Sequence, residues 1–166
     1  MNGLNGARRL ARPVRLALAK QFGADIDGAW WPHTSSVANE LPELVEVLHR
    51  PLGEIVDIRI NWSAAEGQLD LNTIVTGARL AIGTKVRRPR LMAVAGRGAC
   101  VKLLVVPCMT SQDLGGLVMR CAAAKTVDDS LRHTPLFETA ECALRVAQIE
   151  SARWLGPVQG AAPVDA

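Results

Sequence analysis

The chain has 166 residues, of which 49% are hydrophobic and 21% charged, enough apolar material for one domain with a core and too much for global disorder. No apolar run reaches the roughly 18 residues of a membrane span, and Cys100, Cys108, Cys121 and Cys142 form no C-x-x-C pair, so a disulfide scaffold is not expected and a reduced, cytoplasmic protein is. The net charge of +3 resolves into blocks: five bases and no acid in residues 1–20, seven acids against Arg50 in residues 21–57, and seven bases and no acid in residues 77–102, which predicts either separate surface fields or internal neutralisation.

Residues 1–12 carry Arg8, Arg9 and Arg12 and read as a flexible basic arm. The only apolar stretch near the start, Val14 to Ala19, is interrupted by Arg15 and too short for a secretory signal, so no export signal is expected. A single domain is expected over residues 13–155. In residues 14–20, Val14, Leu16 and Leu18 alternate with Arg15 and Ala17 as in a half-buried strand, which Gly23 ends. Asp25-Ile26-Asp27-Gly28 is rich in turn formers, and Ala29-Trp30-Trp31-Pro32 follows.

Ser35 or Ser36 then precedes an apolar stripe of Val37, Leu41, Leu44, Val45 and Leu48, one face of a helix. Glu40, Glu43 and Glu46 are expected on its solvated side. Pro42 should kink or restart the helix, and Pro51 and Gly53 should stop it.

Val56, Ile58, Ile60 and Trp62 alternate with Asp57, Arg59 and Asn61, a strong strand pattern. Leu69 and Leu71 alternate with Asp70 and Asn72 and predict a short strand, and residues 79–82 and 90–95 predict two more. Gly96-Arg97-Gly98 joins the last of these to residues 101–106 as a hairpin, with Leu103-Leu104-Val105-Val106 apolar on both faces as in a central strand.

Thr110 and Asp113 resemble a capping box ahead of Leu114, Leu117, Val118, Cys121 and Ala122, although Gly115-Gly116 costs a helix roughly 1 kcal/mol per glycine. Thr134-Pro135 opens a last helix that Gly156-Pro157 closes, and residues 156–166 read as a disordered tail. The order of elements predicts an α+β fold. It has a mainly antiparallel sheet of five to seven short strands, one helix after the second strand and two C-terminal helices packed on the sheet.

Asp25, Asp27, Trp30, Trp31 and His33 form the densest group of chemically distinctive side chains, and they are the expected ligand or partner surface. Adjacent tryptophans in an extended chain point to opposite sides, so one is expected in the core and Trp31 on the surface. The spacing of Asp25, Asp27 and His33 fits no zinc or calcium pattern, and no metal or other cofactor is expected. Arg87, Arg88 and Arg90, with Lys85 and the N-terminal arginines, are the candidate phosphate contacts should the partner be nucleic acid, with Trp30, Trp31 or Trp62 as stacking surfaces. Cys108 is the thiol expected to be exposed. No nucleophile-elbow, zinc-protease or phosphate-loop pattern occurs, and the glycines at 96 and 98 lead into a strand rather than a helix. These residues predict a non-enzymatic binding module with a protein or small-molecule partner; a nucleic-acid-associated protein and a small enzyme with an unrecognised pocket are the alternatives.

Asp27-Gly28-Ala29-Trp30-Trp31-Pro32, Glu40-Leu41-Pro42-Glu43-Leu44 and Leu103-Leu104-Val105-Val106-Pro107 together resemble a family of small actinobacterial, often mycobacterial, proteins known only as a domain of unknown function. The resemblance spans roughly residues 14–125 and implies no activity. The chain departs from it at Trp62-Ser63-Ala64-Ala65 and Lys85-Val86-Arg87-Arg88-Pro89, where Trp-Asp-Pro-like and Gln-Asp-Pro-like segments are expected.

Overall fold

A computed structural model describes residues 13–63, 70–79 and 88–156. Its five strands are β1 (Leu16–Leu18), β2 (Gly28–Trp30), β3 (Ile55–Ile60), β4 (Arg90–Gly96) and β5 (Cys100–Val105). They form one sheet in the order β1-β2-β5-β4-β3. All neighbours are antiparallel except β2 and β5, which run parallel with Gly28 beside Leu103 and Trp30 beside Val105. The fold is thus α+β, with a mixed and mostly antiparallel sheet.

The helices are α1 (Val37–Leu52), α2 (Leu71–Arg79), α3 (Gln112–Ala122) and α4 (Pro135–Leu155), with a short 3-10 turn at Asp129–Leu131. Helix α1 covers one face of the sheet. Its Leu44, Leu48 and Leu52 pack with Trp30, Met92, Val94, Val101, Leu103 and Val105. Helices α2, α3 and α4 cover the other face, where Leu91, Leu104 and Val106 meet Ile74, Leu117, Val118, Ala143 and Ala147. The alternation of β5 therefore sends apolar side chains into two cores, which is why its sequence is apolar on both faces.

Helix α1 runs unbroken through Pro42, contrary to the expected kink. The ring removes the N–H that would bond the Ala38 carbonyl, but Ala38 and Pro42 are both exposed, so water can take its place. Pro51 sits in the last turn, and Gly53, at φ 76°, returns its N–H to the His49 carbonyl at 2.8 Å.

Helix α2 replaces the strand expected from Leu69 and Leu71. Asp70 Oδ1 accepts the Thr73 N–H at 2.6 Å, an N-cap contact that holds this exposed carboxyl below its ordinary pKa. Leu71, Ile74 and Val75 are buried at i, i+3 and i+4. Of the strand expected over residues 79–82, Arg79 ends α2 and the rest lies outside the described residues.

Ser111, not Thr110, caps α3: its hydroxyl accepts the Leu114 N–H at 3.3 Å, while the Thr110 hydroxyl is buried without a partner. Thr134 caps α4 as expected, accepting from Phe137 N–H at 3.2 Å with Pro135 in the first turn.

The glycine pair in α3 divides by environment. A Cβ on Gly115 would overlap the Trp31 ring, whereas one on Gly116 would meet nothing within 4 Å. Gly115 lets the indole lie against the helix backbone; Gly116 only weakens the helix. Gly115→Ala is expected to lower stability by roughly 1–3 kcal/mol through overpacking. Gly116→Ala is expected to raise it by roughly 0.5–1 kcal/mol. Urea-unfolding midpoints would show the opposite signs, and equal effects at the two positions would refute the assignment.

Candidate functional site

The structure divides the expected Asp25-to-His33 surface between two ends of β2. Four residues of extended chain separate Asp27 from Trp31, roughly 13 Å, so the carboxylates and the Trp31–His33 segment do not form one site.

At the N-terminal end of β2, Asp27 is buried at 1% exposure. Its Oδ1 accepts the Gly23 and Ala24 N–H groups at 2.9 and 3.0 Å, and its Oδ2 accepts the Lys102 N–H at 3.0 Å. Three backbone donors offset the cost of burying the carboxylate and fasten the turn before β2 to β5. The Lys102 ammonium donates to the Ala24 carbonyl of the same turn at 3.1 Å. Asp25 is half-buried, with Oδ1 lacking a hydrogen-bond partner. Asp27 is thus a buried clasp instead of a surface ligand.

Gly28 follows because β1 passes too close for a side chain: a Cβ there would overlap the Ala17 carbonyl oxygen. Ala29 and Trp30 are buried on opposite faces. Trp31, expected at the surface, is buried at 4% exposure, because both faces of this sheet carry helices. The Trp31 ring lies against α3 at Gly115, and the Arg15 guanidinium stands 3.8 Å from its centroid. Arg15 also donates to the Trp31 carbonyl at 3.1 Å and the Pro32 carbonyl at 2.9 Å. Such a desolvated cation-π contact contributes on the order of 2 kcal/mol.

This arrangement occupies the place where ligands usually enter an open α/β sheet. Strands β2 and β5 run parallel, and the helices that follow them, α1 and α3, leave toward opposite faces, which ordinarily opens a crevice at the strand ends. Here Arg15, Trp31 and Pro32 plug it. His33, half-buried, places Nε2 2.8 Å from the Pro13 carbonyl, and its N–H donates to Glu40 Oε1 at 2.8 Å. Thr34 gives both its N–H and its hydroxyl to Glu40 Oε2 at 2.6 Å. Glu40 is therefore committed to the loop before α1 and is not the solvated side chain expected from its helical spacing.

The basic block is dispersed. Arg87 lies outside the described residues. Arg88 approaches Glu150 at 3.7 Å, Arg90 lies over the Trp62 ring at 4.9 Å, and Arg97 pairs with Glu54 at 2.6 Å. Two of the tryptophans proposed to stack bases, Trp30 and Trp31, are buried. Among the thiols, Cys100 is the exposed one; Cys108 and Cys121 are half-buried and Cys142 is buried. Among the described residues no three His, Cys, Asp or Glu side chains gather as a metal site, and no helix is long and apolar enough to cross a membrane.

Two clefts flank the connection between α3 and α4, meeting at Val127. One, of about 450 Å³, balances Asp113 and Asp128 against Arg120, whose guanidinium already donates to the Thr126 carbonyl at 3.3 Å. The other, of about 270 Å³, brings Lys125, Arg132 and Arg145 around Phe137, Leu144 and Val127, with Glu141 as its one acid among the described residues. Arg132 is shared with the Val127 carbonyl and Asp129. The side chains of Lys125 and Arg145 make no hydrogen bond or ion pair among the described residues. Burial, and then the Glu141 charge, push the Cys121 thiol up, so it lines the cleft protonated at neutral pH. Sequence reading missed this cluster because residues 125, 132 and 145 follow no period and lie in a stretch of near-zero net charge.

The fold and these clefts define a three-layered α+β domain with a sealed sheet end and a basic cleft beside its C-terminal helix. Residues 14–122 match DUF5994, a family of unknown function, and the chain belongs to that family. No curated protein and no solved structure matches it.

The Glu40 contacts have a measurable pH signature. Burial alone would raise its pKa, but the Thr34 hydroxyl, the His33 and Thr34 N–H groups and the His33 charge outweigh it and hold the carboxyl below its ordinary value of 4.5. A group depressed in the folded state adds stability above its unfolded pKa and loses it as pH falls through the folded one. Glu40→Gln is therefore expected to be less stable than wild type near neutral pH, with the difference closing as the solution is acidified below about pH 4. Denaturant titrations across that range test this, and a difference independent of pH would exclude it.

Proposed function

We propose that the protein is a non-catalytic binding module whose ligand is a small anion with an apolar body, such as an aryl or alkyl carboxylate or phosphate ester. The observation that carries this reading is the cleft of about 270 Å³ lined by Lys125 and Arg145, two cations whose side chains have no partner among the described residues, together with Arg132, Phe137, Leu144 and Val127. Three positive groups against Glu141 favour an anionic head, and the apolar lining favours an apolar remainder. Cys121, raised and protonated, offers no ready nucleophile, which supports binding over turnover.

Phenyl phosphate and benzoate are suitable probes. Titration followed by amide chemical shifts is expected to perturb residues around Lys125, Phe137 and Arg145 with saturable, salt-sensitive binding. Lys125→Ala combined with Arg145→Ala is expected to weaken binding at least roughly tenfold while leaving the fold intact, since each cation contributes a charge-assisted contact. Shifts elsewhere on the molecule, or binding indifferent to the double substitution, would sink the proposal.

A further inference from the structure

We propose that β3 is the seam of a two-fold homodimer, pairing antiparallel with β3 of a second copy about Ile58 to continue the sheet across both subunits. Strand β3 is a sheet edge: β4 flanks it on one side, and among the described residues nothing pairs with the other. It is six residues long, against three for the opposite edge strand β1, and it carries exposed apolar side chains, Val56 at 58% and Ile60 at 44%. A long apolar edge with free backbone groups is a template for strand addition.

The pattern of β3 is complementary to itself. The Asn61 N–H bonds the Leu91 carbonyl at 3.2 Å, and the register runs Asp57 opposite Ala95 to Ile60 opposite Met92. By alternation, Asp57 and Arg59 turn their backbone groups to β4, while Ile58 and Ile60 turn theirs outward. A two-fold axis at Ile58 makes Ile58 a hydrogen-bonded pair with its own copy. It also sets Asp57 opposite Arg59, twice. The Asp57–Arg59 pairs fall at non-hydrogen-bonded positions, where facing side chains stand closest, so two cross-strand ion pairs form on one face while the two Ile58 side chains meet on the other. Asp57 makes no ion pair or hydrogen bond within its own chain among the described residues. Arg59 has only the distant face of Trp154, 5.9 Å away. A β-bulge between Ile55 and Asp57, which leaves Val56 without a β4 partner, ends the regular ladder at that end and limits the regular seam to residues 57–59 of each copy.

Sedimentation velocity on the full chain, from about 1 to 100 µM, is expected to show a species of twice the 17.8 kDa chain mass. Arg59→Asp places like charges opposite each other at both pairs and should weaken the dimer roughly tenfold or more. Asp57→Arg should do the same, and the double exchange Asp57→Arg with Arg59→Asp should restore association, because the opposite charges face each other again. Circular dichroism confirms that each variant is folded, and the restored double variant separates a lost seam from a damaged strand. A monomer over the whole concentration range, or a dimer that ignores the single reversals, or one that the double exchange fails to restore, overturns the proposal.

Discussion

The contact on which the rest depends is the stack of Arg15, Trp31 and the Gly115 backbone. It joins three parts of the chain far apart in sequence: the first strand, the end of the second, and the helix after the fifth. The indole seats α3 against the sheet, and the guanidinium lies over the indole while bonding the Trp31 and Pro32 carbonyls. None of the three can change alone. A larger residue at 115 displaces the ring, a smaller one at 31 leaves a cavity, and loss of Arg15 strips two buried carbonyls of their donor. With Asp27 fixing the other end of β2 through three backbone N–H groups, the segment from Asp27 to Pro32 is engaged along its whole length in holding the sheet together.

That engagement explains both what the sequence revealed and what it concealed. The β4–β5 hairpin, the two-faced apolar run of β5 and the start of α4 were legible, because each is set by local pattern: alternation, a glycine turn, a Thr-Pro cap. The opposite orientation of Trp30 and Trp31 was legible too. What failed was the inference that one of them stays wet, since that depends on whether helices cover both faces. Helix α2 was concealed by the alternation of Leu69 to Asn72, although Asp70 and Thr73 at cap spacing with Leu71, Ile74 and Val75 gave a helical alternative. The cleft of Lys125, Arg132 and Arg145 was beyond local pattern entirely, because the connection after α3 must fold back before those residues meet.

Several bases of the charge blocks find partners within the chain. Arg97 meets Glu54, Arg88 meets Glu150, and Lys102 and Arg15 spend their donors on carbonyls at the two ends of β2. Lys125 and Arg145, whose side chains no partner answers among the described residues, lie where the sequence looked neutral. A block of like charge is thus a poor guide to a binding surface in this chain; a cation whose neighbours do not answer it is a better one.

The match to the family ends at residue 122, the last residue of α3, and α4 lies beyond it. Yet α4 contributes Ala140, Ala143 and Ala147 to the larger core and lays its surface over the same sheet face as α2 and α3. The matched segment is therefore shorter than the unit that packs together. The basic cleft straddles that boundary, with Cys121 on the shared side and Phe137, Leu144 and Arg145 on the other. Truncation after residue 122 would therefore uncover the apolar surface that Ala140, Ala143 and Ala147 pack against and take Phe137, Leu144 and Arg145 out of the cleft.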